Sequence, residues 1–402
     1  MTTIYSTEEF FVKDKKTGQF RRCRNLTEEF FVKDKETGEY QRCPDLTFNI
    51  YKKHMPTEEK RDEFENGLEP NWVKRRGILN KLEILLSDIT GIVGDYLGRD
   101  LDGSSVALTG HTGPVWAVCA LGDGRHLASG SADSTIRIWD LKKGGECVQT
   151  LTGHTRNVTS LLALGDGRLA SGSWDHTIRI WDLNKKGKHK HVQTLTGHTR
   201  NVISICALGD GRIASGSADN TVRIWDLNKK GKDKCVQTLT GHTFVVTTVC
   251  ALGDDGRRLA SGSVDNTICI WDLNKKTGKY EQVQTLTRNT VVGSVCAVGD
   301  GRLASGSDDK TIYIWDLDKK GKYKHVQTLT GHNREVFSVC VLGDGRLASG
   351  SEDKTIRIWD LNKGGECVQT LTGHTGPVQA LCALGDGRLA SGSQDGTVRV
   401  WT

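Results

Sequence analysis

Three residue types that serve acyl-transfer chemistry recur together in this chain of 402 residues: a His in a TGH segment, a Ser in an ASGS segment, and an Asp in the tight turn that follows. One such set would suggest a nucleophile, its base and an orienting carboxylate. Here the set returns in seven copies, complete in six of them. A group present in every copy fits a framework better than a reaction centre, so no catalytic residue is assigned and the chain is not read as an enzyme.

Sulfur is the second candidate chemistry. Of twelve cysteines, Cys119, Cys206, Cys250, Cys296, Cys340 and Cys382 take one place in different copies, where copy two has Leu162. Exchange with leucine marks a small apolar site. Cys147, Cys235 and Cys367 share another place with His191 and His325. No CxxC pair and no His/Cys metal spacing occurs, so neither a metal nor a cofactor is expected.

These residues are positioned by a repeat. Trp139, Trp181, Trp225, Trp271, Trp315 and Trp359 each precede Asp, Trp401 opens a seventh ending, and the steps between them run from 42 to 46 residues. That period is the size of a four-stranded antiparallel propeller blade. Within each copy an apolar run such as VTSLLAL, a GDGR turn, RLASGS, a tight turn, TIRIWDL, a polar loop and VQTL follow in order, with turn residues bounding every run. The seventh copy supplies three strands as far as Thr402, and its fourth is expected from Ser105–Leu108, which precedes a TGH as each VQTL does. Pairing of that strand beside Trp401 closes the ring and removes a sheet edge. The expected fold is therefore all-β, a seven-bladed β-propeller over residues 101–402 closed by an N-terminal strand and preceded by a small α+β region.

Residues 101–402 resemble the WD-repeat β-propeller family. In that family a buried hydrogen-bonded set joins the Trp, the strand-two Ser, the His and the tight-turn Asp. The resemblance implies structural sets at His111, Ser129, Asp133 and Trp139; His154, Ser171, Asp175 and Trp181; His198, Ser215, Asp219 and Trp225; and His242, Ser261, Asp265 and Trp271. Asn289, Ser305, Asp309 and Trp315 follow, then His332, Ser349, Asp353 and Trp359, then His374, Ser391, Asp395 and Trp401. A buried Asp needs donors, and imidazole can pass a hydrogen bond on to Ser while the indole N–H closes the set. Copy five reads LTRNT where its neighbours read LTGHT. Asn289 can still bond Asp309 there, in a blade that is either looser or shaped for a partner, or that carries drift tolerated in one repeat.

Identical scaffolding cannot discriminate partners, so function is sought where copies differ. The resemblance implies that three residues per blade line one face around the channel: the third and fifth after the His, and the one before the turn Asp. Those positions hold Trp116, Trp174, Asn157, Asn201, Ile203, Phe337, Gln379 and Gln394, with Asp308, Glu335 and Glu352 as an acidic sector. Aromatic side chains beside charge suit a protein-binding hot spot. The expected function is a non-catalytic scaffold that binds, through this face, a protein or peptide with basic and apolar elements. Phosphopeptide readers of the family tend to place Arg at these positions, and none of the twenty-one here is Arg.

The opposite loops of copies two to five, NKKGKHKH, NKKGKDKC, NKKTGKYEQ and DKKGKYKH, sum to +12. Lysine solubilises hairpin tips, and without interleaved aromatics nucleic acid is not an expected partner. Of the net charge of +6, residues 101–402 carry +7. No apolar run of 18 residues or signal-peptide core occurs, so a chain without a membrane span, cytoplasmic or also nuclear, is expected.

Before the propeller, TEEFFVKDKKTGQFRRC from Thr7 recurs as TEEFFVKDKETGEYQRC from Thr27, and residues 1–56 are read as two hairpins that pair. Residues 57–100 read as helical, with Ile78, Leu79, Leu82, Leu85 and Leu86 on one face. LLSDITGIVGDYL resembles the end of an F-box. That resemblance implies an alternative function, a ubiquitin-ligase substrate receptor whose residues 57–100 dock a ubiquitin-ligase adaptor.

Overall fold

The computed structural model describes residues 101, 103–185, 191–209, 211–231, 234–253, 256–299 and 301–402, and four short strands in the first hundred residues. By its contacts the chain divides into Met1–Ser87 and Asp88–Thr402. In the first unit the strands run antiparallel in the order Phe20–Arg22, Phe10–Lys13, Phe30–Lys33, Tyr40–Cys43. The two hairpins join through Phe11 opposite Phe31. The helical and F-box-like readings of residues 57–100 lie outside the described residues.

The second unit holds seven four-stranded sheets. Blade two is typical: Val158–Ala163, Arg168–Ser173, Ile178–Asp182 and His191–Leu195 pair in sequence order. Its hairpins follow from local chemistry. The residue after each turn Asp has a left-handed backbone, at Ser134, His176, Asn220, Asn266, Lys310, Lys354 and Gly396, with φ between 66° and 77°. The Asp carboxylate holds that turn by accepting from the Thr two residues on, as Asp175 does from Thr177 N at 3.0 Å.

Blade seven contains Val378–Ala383, Leu389–Ser393, Val398–Trp401 and, as its outermost strand, Ser105–Leu108. Val398 lies opposite Leu108 and Trp401 opposite Ser105. The ring is thus latched by the chain's own leading strand, in the register that the sequence predicts.

The core lies between blades. Each of seven apolar clusters draws on two neighbouring sheets, as where Ile178, Ile180 and Leu195 of blade two meet Val202, Ile205 and Trp225 of blade three. Strand two is so close to the next blade that only glycine fits at its next-to-last position: a Cβ on Gly172 would fall 2.8 Å from Val202 Cγ1.

Candidate functional site

The His/Ser/Asp groups are brought together in six blades. Trp181 Nε1 donates to Ser171 Oγ at 2.8 Å, that hydroxyl lies 2.7 Å from His154 Nε2, and His154 Nδ1 lies 2.7 Å from Asp175. The same three contacts measure 2.7 to 2.9 Å around His111, His198, His242, His332 and His374. These partners assign the proton to Nδ1: a neutral imidazole donates to the carboxylate and accepts from the serine hydroxyl. Ser129, Ser171, Ser215, Ser261, Ser349 and Ser391 are fully buried, and each is capped by an indole N–H, so no substrate carbonyl can approach the oxygen. The geometry is that of a framework.

Burial holds the His111 and His374 pKa values below that of a free imidazole, outweighing their Asp partners. Burial alone would raise Asp133, but the Thr135 hydroxyl and the His111 N–H bring it down to about 2. Asp175, Asp219, Asp353 and Asp395 are lowered in the same way. For both residue types the unfolded chain binds more protons, so stability rises with pH across each window. The thermal midpoint should be level above about pH 7, fall as pH drops below about 6.5 where unfolded histidine protonates, and fall further below about 4. Calorimetry across pH 3 to 8 checks this, and a midpoint that rises from pH 7 to 5 would contradict it.

Blade five departs from expectation. Asn289 does not bond Asp309. The carboxylate instead accepts from the Tyr313 hydroxyl, from Thr311 Oγ1 at 2.6 Å and from Thr311 N at 3.1 Å. Two exchanges explain it. In blades one, two, three, six and seven the residue at the Tyr313 position is Arg, packed under the glycine of Gly-His: a Cβ on Gly153 would fall 2.8 Å from Arg179 Nη1. In blade five the glycine is Arg288 and the strand residue is Tyr313, so the guanidinium comes from the loop and lies 3.4 Å from the tyrosine ring centroid. Thr287, Arg288, Asn289, Thr290 and Tyr313 line a cavity of 310 Å³ there.

The inner-strand thiols are shielded. Burial pushes Cys119 and Cys340 up to about 12 and Cys250 up to about 11, which leaves almost no thiolate at neutral pH.

One backbone bond repeats in all seven blades: the residue before the turn Asp donates its N–H to the carbonyl of the third residue after the histidine or, in blade five, to that of Val291, the second after Asn289. Trp174 N to Asn157 O measures 3.0 Å, Ala218 N to Asn201 O 2.9 Å, Glu352 N to Glu335 O 2.9 Å and Gln394 N to Pro377 O 2.9 Å. These positions therefore lie side by side at one end of the ring. Trp116 and Trp174 come together, with ring centroids 6.3 Å apart and planes tilted by 34°. Asp308, Glu335 and Glu352 share one field: burial and then the Glu352 and Asp308 charges hold Glu335 above the usual carboxylate range, and Arg334 lies 3.7 Å from Glu352. Ile203 and Phe337 are half-buried on the inner strands of blades three and six. Arg334, which the sequence places beside the site one residue before Glu335, joins this charge cluster.

Ring, latch and repeated buried sets define a seven-bladed β-propeller. The WD domain, G-beta repeat family matches seven segments, residues 104–140, 145–182, 189–226, 233–272, 280–316, 323–360 and 365–402, and the chain belongs to that family. The solved WD40 β-propeller domain of Doa1 is 28% identical, with a TM-score of 0.63 over 74% of this chain and 95% of that one. A stretch of 50 residues is 42% identical to the E3 ubiquitin-protein ligase TRAF7 of Mus musculus and of Homo sapiens. It spans 12% of this chain and 8% of each of those proteins. Among the described residues no helix is long and apolar enough to cross a membrane.

Proposed function

We propose that this propeller is a non-catalytic scaffold that binds a protein or peptide through its channel-mouth face, taking a basic element on Asp308, Glu335 and Glu352 and an apolar element on Trp116, Trp174 and Phe337. Asn157, Asn201, Ile203, Gln379 and Gln394 would complete the contact surface. The observation that carries the reading is the acidic cluster itself. Burial first, and then the neighbouring Glu352 and Asp308 charges, raise Glu335, with Arg334 offsetting part of the repulsion; a bound cation relieves the remainder. The double variant Asp308→Lys, Glu335→Lys should weaken partner binding by at least about tenfold through loss of buried charge pairing, measured by calorimetric titration of a partner recovered with the parent chain. Unchanged affinity would reject the acidic sector as a contact.

A second reading is favoured by the match to the ubiquitin ligase TRAF7: a substrate receptor of a ubiquitin ligase, with residues 57–100 engaging an adaptor. Removal of those residues should then abolish adaptor capture while leaving the propeller's partner bound.

A further inference from the structure

Among the described residues, three N–H donors on this face have no acceptor. Trp116 Nε1, Trp174 Nε1 and Gln379 Nε2 are buried and bond to no atom of the described residues. Trp116 and Gln379 hold the same place in blades one and seven, and that place points across the seam into the following blade. Thr159 and Thr247, which hold it in blades two and four, donate to the Val202 and Val292 carbonyls of the next blades at 2.6 and 2.5 Å. Gln379 therefore points into blade one, and Trp116 into blade two, where it meets Trp174. The donors form a row over blades seven, one and two.

The seams they span also lack one bridge that the other five share. In five of seven seams an inner-strand hydroxyl accepts from a backbone N–H of the next blade, as Ser160 does from Ile205 at 3.0 Å and Ser338 from Leu381 at 3.1 Å. Blades one and seven have Ala117 and Ala380 at that place, so the seams on both sides of blade one lack the bridge.

The indoles are caught between two costs. Packed as they are, each buried N–H forfeits the bond it would make to water. Turned out to water, they would expose large apolar rings. An occupant that brings an acceptor beside an apolar surface satisfies both demands. The donors are uncharged, no facing position is Arg, and Asp308, Glu335 and Glu352 repel anions, so a carboxylate or phosphate is disfavoured.

We propose that Trp116, Trp174 and Gln379 form a subsite for a neutral amide carbonyl carried beside an apolar side chain, the indoles turning to donate to it. This rests on the reading that a partner docks at the channel mouth, and supplies the second anchor next to the acidic one. A main-chain carbonyl and a side-chain amide share the required chemistry.

The test follows the indole N–H resonances of Trp116 and Trp174 in the full ¹⁵N-labelled chain during titration with N-acetyl-leucine N-methylamide, propionamide and N-acetyl-leucine. Both resonances should move downfield with an amide probe: a larger shift with the leucine methylamide assigns a main-chain carbonyl, and a larger shift with propionamide a side-chain amide. Movement with neither amide, or a larger response to N-acetyl-leucine than to its methylamide, overturns the proposal. Trp116→Phe and Trp174→Phe keep the ring and remove the donor, and each should weaken the responsive amide about fivefold, one hydrogen bond's worth. Full affinity in both Phe variants would sink the donor subsite while leaving docking on this face intact, because Asp308→Lys reads the other sector.

Discussion

Asp219→Ala should lower the unfolding free energy by roughly 3 kcal/mol, because the removed carboxylate strands the part-buried His198 Nδ1, Thr221 N and Thr221 Oγ1 donors at about 1 kcal/mol each. Asp219 accepts from His198 Nδ1 at 2.7 Å, from Thr199 N at 3.1 Å, from Thr221 N at 3.0 Å and from Thr221 Oγ1 at 2.6 Å. It thus ties the loop before the inner strand to the turn between strands two and three. The loss propagates, since His198 without its acceptor no longer has a fixed tautomer to receive the Ser215 hydroxyl under Trp225. Asp309→Ala in blade five should cost about 1 kcal/mol less. No imidazole depends on Asp309, and the Tyr313 hydroxyl that would be stranded belongs to a side chain already stacked on Arg288. Urea unfolding of the two variants, compared at equal slope, measures the difference. Equal losses would mean that the histidine relay adds nothing to the framework.

Removal of Val398–Thr402 should abolish cooperative unfolding altogether. Val398 and Trp401 are fully buried and Val400 nearly so, at about 1.5–3 kcal/mol for each large apolar side chain. Their loss alone takes most of the 5–15 kcal/mol typical of a folded domain. The deletion also parts Leu389–Ser393 from Ser105–Leu108, exposing two strand edges and opening the ring beside blade one. Calorimetry should show no sharp transition, and proteolysis should begin in blades seven and one. A truncated chain that keeps its midpoint would show that the latch is dispensable.

Much of this architecture is legible in the amino-acid sequence. The Trp-Asp period carries blade number, and the place of SVAL before a TGH carries the closing register, because a strand's neighbours follow from its order in the repeat. The buried sets were legible too, since the same four residue types recur at fixed offsets. Blade five was not. Reading Asn289 as a substitute for histidine treats one position alone, whereas Arg288 and Tyr313 exchanged roles together and gave Asp309 a phenol in place of an imidazole. The orphan donors were equally hidden. Strand register tells which end of the ring Trp116, Trp174 and Gln379 occupy, but not that their N–H groups find no acceptor among the described residues.

The central claim is that a latched, rigid ring offers its channel-mouth face to a partner. Its most direct test is photocrosslinking with benzoylphenylalanine placed either at Phe337 on that face or at Val326, which is 55% exposed on the outer strand of blade five. The account predicts partner adducts from position 337 that vanish when Asp308→Lys and Glu335→Lys are added, and none from 326. Adducts from position 326 with none from 337 would place binding on the rim and contradict it.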